Sequence, residues 1–160
     1  MNNSNIEIER KYLCHSIQPD YFKSVDVVMG YFKNEDKVAI RVVALVNKQT
    51  NAKYGKVTFK SPGTLIRSEF EFNIDYNQAS EMLDKLTCGK IYKTRYYYKL
   101  DDLILEIDEF YDKNQGLILA EIELPSIETK FNVPGFLYKE VTEDERFYNA
   151  NLAWNPYTTW

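Results

Sequence analysis

Asn5-Ile6-Glu7-Ile8-Glu9-Arg10-Lys11-Tyr12-Leu13 alternates apolar and charged side chains. Neighbouring side chains of a β-strand point to opposite faces, so a strand here sets Glu7, Glu9 and Lys11 on one face and Ile6 and Ile8 on the other. A single stretch of this kind describes an ordinary strand with a solvated face. Here the pattern recurs. Lys56, Thr58 and Lys60 alternate in Gly55–Lys60, and Arg67, Glu69 and Glu71 alternate opposite Phe70 and Phe72 in Arg67–Asn73. Lys93 and Arg95 share a face, as do Glu106 and Asp108, and Glu121 and Glu123. Each segment thus pairs an apolar face with a charged one, in blocks of one sign on different strands. The fold class that reconciles these faces is α+β, mostly β: a closed eight-stranded antiparallel barrel, a tunnel with an ionic lumen, its outer face covered and helices packed outside.

The rest of the composition is compatible with one such domain over residues 1–160. A chain of 160 residues can bury a core of useful size. The formal net charge of −4 and the scattered basic residues argue against nucleic acid as a partner. Met1 is followed by Asn-Asn-Ser-Asn, which is no signal peptide, and no apolar run approaches the roughly 18 residues of a membrane span. The expectation is a cytoplasmic protein without a membrane partner. Cys14 and Cys88 form no Cys-x-x-Cys pair and read as reduced, buried thiols.

Periodicity places strands near 4–14, 25–32, 37–46, 53–61, 66–74, 91–100, 103–112 and 116–124. Turn chemistry separates them at Asn34-Glu35-Asp36, Asn47–Asn51, Ser61-Pro62-Gly63, Leu100-Asp101-Asp102 and Lys113–Gly116. Links this short imply antiparallel neighbours. Ala79, Met82, Leu83 and Leu86 recur at helical spacing, with Gly89 as a left-handed stop. A second helix is expected from Thr142, with Glu145 completing a capping box, to about Leu152. Pro19–Lys23 reads as a short helical turn, and an irregular tail follows from about residue 153, with Asn155–Trp160 lacking any period.

Taken in order, these segments resemble the CYTH, or triphosphate tunnel metalloenzyme, superfamily, above all its short bacterial inorganic triphosphatases. The matching pieces are Glu7-Ile-Glu-Arg-Lys11, Ile40-Arg41, Thr58-Phe-Lys60, Arg67-Ser-Glu-Phe-Glu71, Lys93-Thr-Arg-Tyr96 and Glu106-Ile-Asp108. They continue through Gly116–Leu124, Pro134, Glu140-Val-Thr142 and Arg146-Phe-Tyr-Asn149. Leu105 and Phe136 stand where tryptophan is common in the family, and both keep an apolar side chain. The resemblance implies a tunnel that binds a small-molecule triphosphate and divalent cations.

Phosphoryl transfer is largely positioning and charge stabilisation. Arg41, Arg67 and Arg95 offer planar forks for phosphate oxygens, and Lys11, Lys60 and Lys93 compact charges. These six are the expected substrate-binding set; Lys56 is assigned to the surface. With His15 the only histidine, the donors are hard carboxylates suited to Mg²⁺ or Mn²⁺. Glu7, Glu9, Glu121 and Glu123, from strands that become neighbours on closure, are the expected metal set. Glu69, Glu71, Glu106 and Asp108 either hold a second ion or orient the lysines and arginines.

The expected reaction is in-line attack of water on a metal-polarised terminal phosphoryl group of tripolyphosphate, with Lys11 or a nearby carboxylate taking the proton. Thiamine or nucleoside triphosphatase, class IV adenylyl cyclase, and a silent triphosphate or polyphosphate sensor stay open as alternatives. So does the choice between monomer and homodimer.

Overall fold

In the computed structural model, residues 6–33 and 38–160 are described. The expected turn at Asn34-Glu35-Asp36 and the first residues of the strands expected at 4–14 and 37–46 lie outside them. The strands are β1 (Ile6–Cys14), β2 (Lys23–Tyr31), β3 (Ala39–Asn47), β4 (Lys53–Lys60), β5 (Ile66–Ile74), β6 (Gly89–Leu100), β7 (Leu103–Phe110), β8 (Ile118–Glu123) and β9 (Leu137–Glu140). Hydrogen-bonded order runs β5-β4-β3-β2-β6-β7-β8-β1, and β1 pairs back with β5. Eight antiparallel strands therefore close, as the alternation predicts. The ninth, unexpected strand takes over the side of β1 that β5 leaves, with Tyr12 opposite Glu140.

Turn residues behave as their chemistry requires. Asn51 and Asp101 take left-handed backbone angles of φ 58° and φ 53°, a conformation that short polar side chains tolerate. Helix α1 (Tyr76–Lys85) starts where the Asp75 carboxylate accepts from the backbone N–H of Asn77 and Gln78, at 2.8 and 3.2 Å. It buries Ala79 and Leu83 against Val42 and Ala44 on the outer face of β3. Gly55 of β4 makes that approach possible, because a Cβ there would stand 2.8 Å from Ala79 Cβ. Gly89 plays a different part from the expected one. It does not end α1, whose cap is Leu86 in right-handed geometry; it opens β6, where a Cβ would meet Ala153 at 3.0 Å.

The expected continuous helix from Thr142 is also corrected. The Thr142 hydroxyl accepts from the Lys11 backbone N–H at 3.1 Å and donates to Glu140 at 2.7 Å, so it stitches β1 to β9. Asp144 caps a single 3-10 turn over Glu145–Phe147 in its place, and helix α2 (Asn149–Trp154) follows. The tail continues into another 3-10 turn, where Trp160 packs edge-on against Phe147 and Tyr157. Residues 19–23 form a turn and the start of β2, with no helix.

These C-terminal pieces seal one end of the barrel. Phe147 and Leu152 are buried among Tyr31, Ile91, Phe110 and Leu119, the inward-facing residues at that end of their strands. Among the described residues the barrel is thus a cup, closed at that end and open at the other, where Phe22, Asp102 and Pro125 border the cavity. Its outer wall is covered unevenly. The segment after β8 lays Leu124, Phe131 and Phe136 over Tyr12, Leu105, Ile107 and Ile122. The outward row of β5, by contrast, lies bare: Phe70 and Phe72 are 47% and 56% exposed. The expectation of a wholly covered outer face does not hold there.

Candidate functional site

Strand register brings the charged rows together inside the cup. Across β1 and β8, Glu9 lies opposite Glu123 and Lys11 opposite Glu121. Glu7 faces Arg67 across β1 and β5, Lys60 faces Glu69 across β4 and β5, and Arg95 faces Asp108 across β6 and β7. The cavity they border has a volume of about 1080 Å³.

The side chains form one continuous chain of ion pairs. It begins at Arg41, 3.5 Å from Glu69, and passes to Lys60 at 2.7 Å and then to Glu7 at 2.9 Å. Arg67 joins Glu7 at 2.7 Å and Glu9 at 3.6 Å, and Glu9 accepts from Lys11 at 3.0 Å. Lys11 also bonds Glu121, which Arg95 reaches at 2.5 Å. Arg95 then clasps Asp108 with two 2.7 Å bonds and pairs with Glu106, while Lys93 completes the chain on Asp108. All six expected cations are brought together, alternating with Glu7, Glu9, Glu69, Glu106, Asp108 and Glu121. Six positive and six negative groups leave this chain formally neutral. Burial makes the pairing obligatory: the side chains of Lys93 and Asp108 are 1% and 0% exposed, and removing one partner of such a pair costs about 3–5 kcal/mol.

Glu71 and Glu123 stand apart. Glu71 pairs with Lys56 near the mouth, so Lys56 belongs to the cavity rim more than to the outer surface. Glu123 makes no ion pair among the described residues. Partial burial, followed by the like charges of Glu7, Glu69 and Glu9, raises its carboxyl above the ordinary range. Burial opposes the charge of Glu121 too, but Lys11, Arg95 and Lys93 overcome it and hold that carboxyl well below the usual range. Lys11 is held above the ordinary lysine range because Glu121 and Glu9 outweigh its burial, whereas Lys93 falls below that range because burial outweighs Asp108.

Among the described residues no three carboxylate, histidine or cysteine groups converge with metal-ligand spacing. The reason is visible in the chain: Glu7, Glu9 and Glu121 are engaged by lysine and arginine. The donor set nevertheless fits a hard divalent cation. Mg²⁺-type ions take one or two carboxylates and complete their shell with substrate phosphate and water, and Glu123 crowded by Glu7, Glu9 and Glu69 is a like-charge cluster that a cation would relieve.

Several lining groups escaped the sequence reading. The lumen is not ionic all round, because β2 and β3 present Val27, Met29, Val43 and Leu45 to the cavity. A valine-rich strand gives no sign of which face turns inward. Asn149, at the start of α2, reaches in to accept from Lys93 at 3.4 Å. Thr58 lies opposite Arg41 on the inward row of β4; its hydroxyl oxygen and Arg41 Nε are buried without a hydrogen-bond partner. Its alternation with Lys56 and Lys60 already sets Thr58 on the charged face, and only its place opposite Arg41 is new.

No family model matches the chain. Two relatives do. An inorganic triphosphatase of Acetivibrio thermocellus is 38% identical over 159 residues, covering 94% of this chain and 95% of that one. An inorganic triphosphatase of Nitrosomonas europaea is 36% identical over 152 residues, covering 92% and 96%. Among solved structures, one of an inorganic triphosphatase superposes with a TM-score of 0.65 at 30% identity, covering 92% of this chain and 93% of that one.

Proposed function

The chain belongs to the inorganic triphosphatase family of the triphosphate tunnel superfamily, and from that premise we propose that it hydrolyses inorganic tripolyphosphate to diphosphate and phosphate inside the cup. The observation that carries this reading is the self-neutralised chain of six cations and six carboxylates around a cavity closed at one end. Buried charges must be paired. A polyanion arriving with divalent cations lets the same groups change partners, lysines and arginines turning to phosphate and carboxylates to metal, without stranding any of them.

In this reading Arg41, Arg67 and Arg95 grip phosphate oxygens and Lys60 and Lys93 add point charge. Asp108 and Glu106 orient Arg95 and Lys93, and Glu69 orients Lys60 and Arg41. Glu7, Glu9, Glu121 and Glu123 would hold the cation, Mg²⁺ or Mn²⁺ by their hard oxygen donors; Glu71 stays with Lys56 at the rim. A bound divalent ion would polarise the terminal phosphoryl group and neutralise charge developing on it. Water attacks the terminal phosphorus in line, the bond to the bridging oxygen breaks, and diphosphate departs with its new charge facing the lumenal cations. Lys11 donates to both Glu9 and Glu121, so it acts here as a fixed positive charge, and the water's proton passes to a lumenal carboxylate.

Among the described residues no helix is long and apolar enough to cross a membrane. Cys14 and Cys88 are both free thiols, which suits the reducing cytoplasm we propose for the protein; Cys14 is buried as expected, whereas Cys88, just beyond α1, is exposed and corrects that expectation. The test is a substrate panel of tripolyphosphate, ATP and thiamine triphosphate with Mg²⁺ or Mn²⁺. Phosphate release fastest from tripolyphosphate is expected. No release from it with either ion, from neutral to alkaline pH, overturns the proposal.

A further inference from the structure

The outer wall carries an apolar patch that nothing in the described chain covers. It follows the outward row of β5, where Ile66, Ser68, Phe70 and Phe72 succeed one another, and it widens to Phe59 on β4 and Ile6 on β1. Phe59 lies directly opposite Phe70 and meets Phe72 edge-on, with ring centroids 6.1 Å apart. The five large side chains are each between 37% and 56% exposed. Other parts of the outer wall carry built cover: α1 lies over β3, and the segment after β8 lies over β7 and β8. The nine residues outside the described set contain one apolar side chain, Met1, so they hold no apolar cover for five.

We propose that this face is the interface of a symmetric homodimer, with the β5 row of one chain packed on the β5 row of a second copy. Charge is the first argument. A two-fold contact sets a patch against itself, so a patch of one charge sign would repel its copy, and the outward positions of β5, Ile66 to Ile74, carry no formal charge. An acidic or basic partner would find nothing there to recognise, and an anionic bilayer would find no lysine or arginine on that row. Size is the second argument. At about 200 Å² for a full aromatic side chain, the exposed portions amount to roughly 500 Å², near the top of the range for the largest patch on a monomer. Covered by its counterpart, the patch buries about 1,000 Å² in total before any polar rim is added, which reaches the threshold of a specific interface. Aromatic anchors surrounded by polar strand ends are also how such interfaces are built.

The inference does not depend on the reaction, since Phe70 and Phe72 turn away from the lumen that Glu69 and Glu71 enter. Sedimentation of the full chain over a hundred-fold range of concentration should show a species of twice 18.9 kDa, with a melting temperature that rises with protein concentration. The double variant Phe70→Asp/Phe72→Asp should sediment as a monomer and keep tripolyphosphate turnover within two-fold. A wild-type chain that stays monomeric throughout overturns the proposal whatever the variant does. So does a dimer that persists in the double variant, and so does a monomer that floats with anionic phospholipid vesicles.

Discussion

Two walls of the cup face the same cavity with opposite chemistry. The wall from Arg41 on β3 through β4, β5, β1, β8 and β7 to β6 carries the chain of ion pairs, while β2 and the remainder of β3 present Val27, Met29, Val43 and Leu45. The contrast shows how a small barrel can crowd twelve charges into its interior. The apolar wall continues into the sealed floor around Leu152 and anchors the fold by burial. It also lowers the local dielectric, which strengthens every pairing on the opposite side. One wall supplies cohesion and the other supplies reactivity, so substitutions should separate the two.

The largest separation is expected at Glu121. Replacing it with Gln leaves Lys11 and Arg95 without the carboxylate they share, and turnover of tripolyphosphate should fall by about 10²–10³-fold, the usual range for loss of one preorganised electrostatic group. Circular dichroism should show the strands intact. Activity within a few-fold of wild type would break the comparison at its charged side. Leu152→Ala tests the other side. It opens a cavity in the floor and should cost about 2–5 kcal/mol by urea denaturation, with turnover per folded molecule within about three-fold at low temperature. A variant as stable as wild type would show that the floor is not part of the core.

Thr58→Val sharpens the boundary between the walls, because the Thr58 hydroxyl is buried without a protein partner. Stability should stay level or rise by up to about 1 kcal/mol, as an unpaired polar atom is removed. KM for tripolyphosphate should rise several-fold while kcat holds, provided that hydroxyl and Arg41 Nε meet the substrate. The smallest effect belongs to Arg10 and Glu140, an ion pair on the outside with both side chains more than a third exposed. The hydrogen bond from Arg10 lowers the Glu140 carboxyl below its ordinary range. Its contribution is therefore present above the unfolded value of about 4.3 and lost as pH falls through the lower folded value. Glu140→Gln should cost under about 1 kcal/mol at neutral pH and progressively less as the pH falls below the unfolded value, read from denaturation curves across that range.

Much of this was legible before any coordinates, for a physical reason. Charge alternating with apolar residues at period two admits only strands, and charged faces in blocks of opposite sign admit only an arrangement that brings them together. That logic located Glu7, Glu9, Lys11, Arg67, Arg95 and Glu121 on one surface. It was silent where the pattern carries no contrast. Val25, Val27 and Met29 read the same whichever way β2 faces, and the four residues of β9 are too few to show a period. Thr142 and Glu145 spell a helix start in sequence, but the pull of β1 on the Thr142 hydroxyl outweighed the local signal. Glu123 and Glu121 looked equivalent, and only depth in the cup distinguishes the exposed one from the buried one.

The stoppered floor has a consequence for traffic. Guests enter and leave by the same aperture, so the two fragments of one turnover retreat along the route the intact molecule took. Nothing new descends until they are gone.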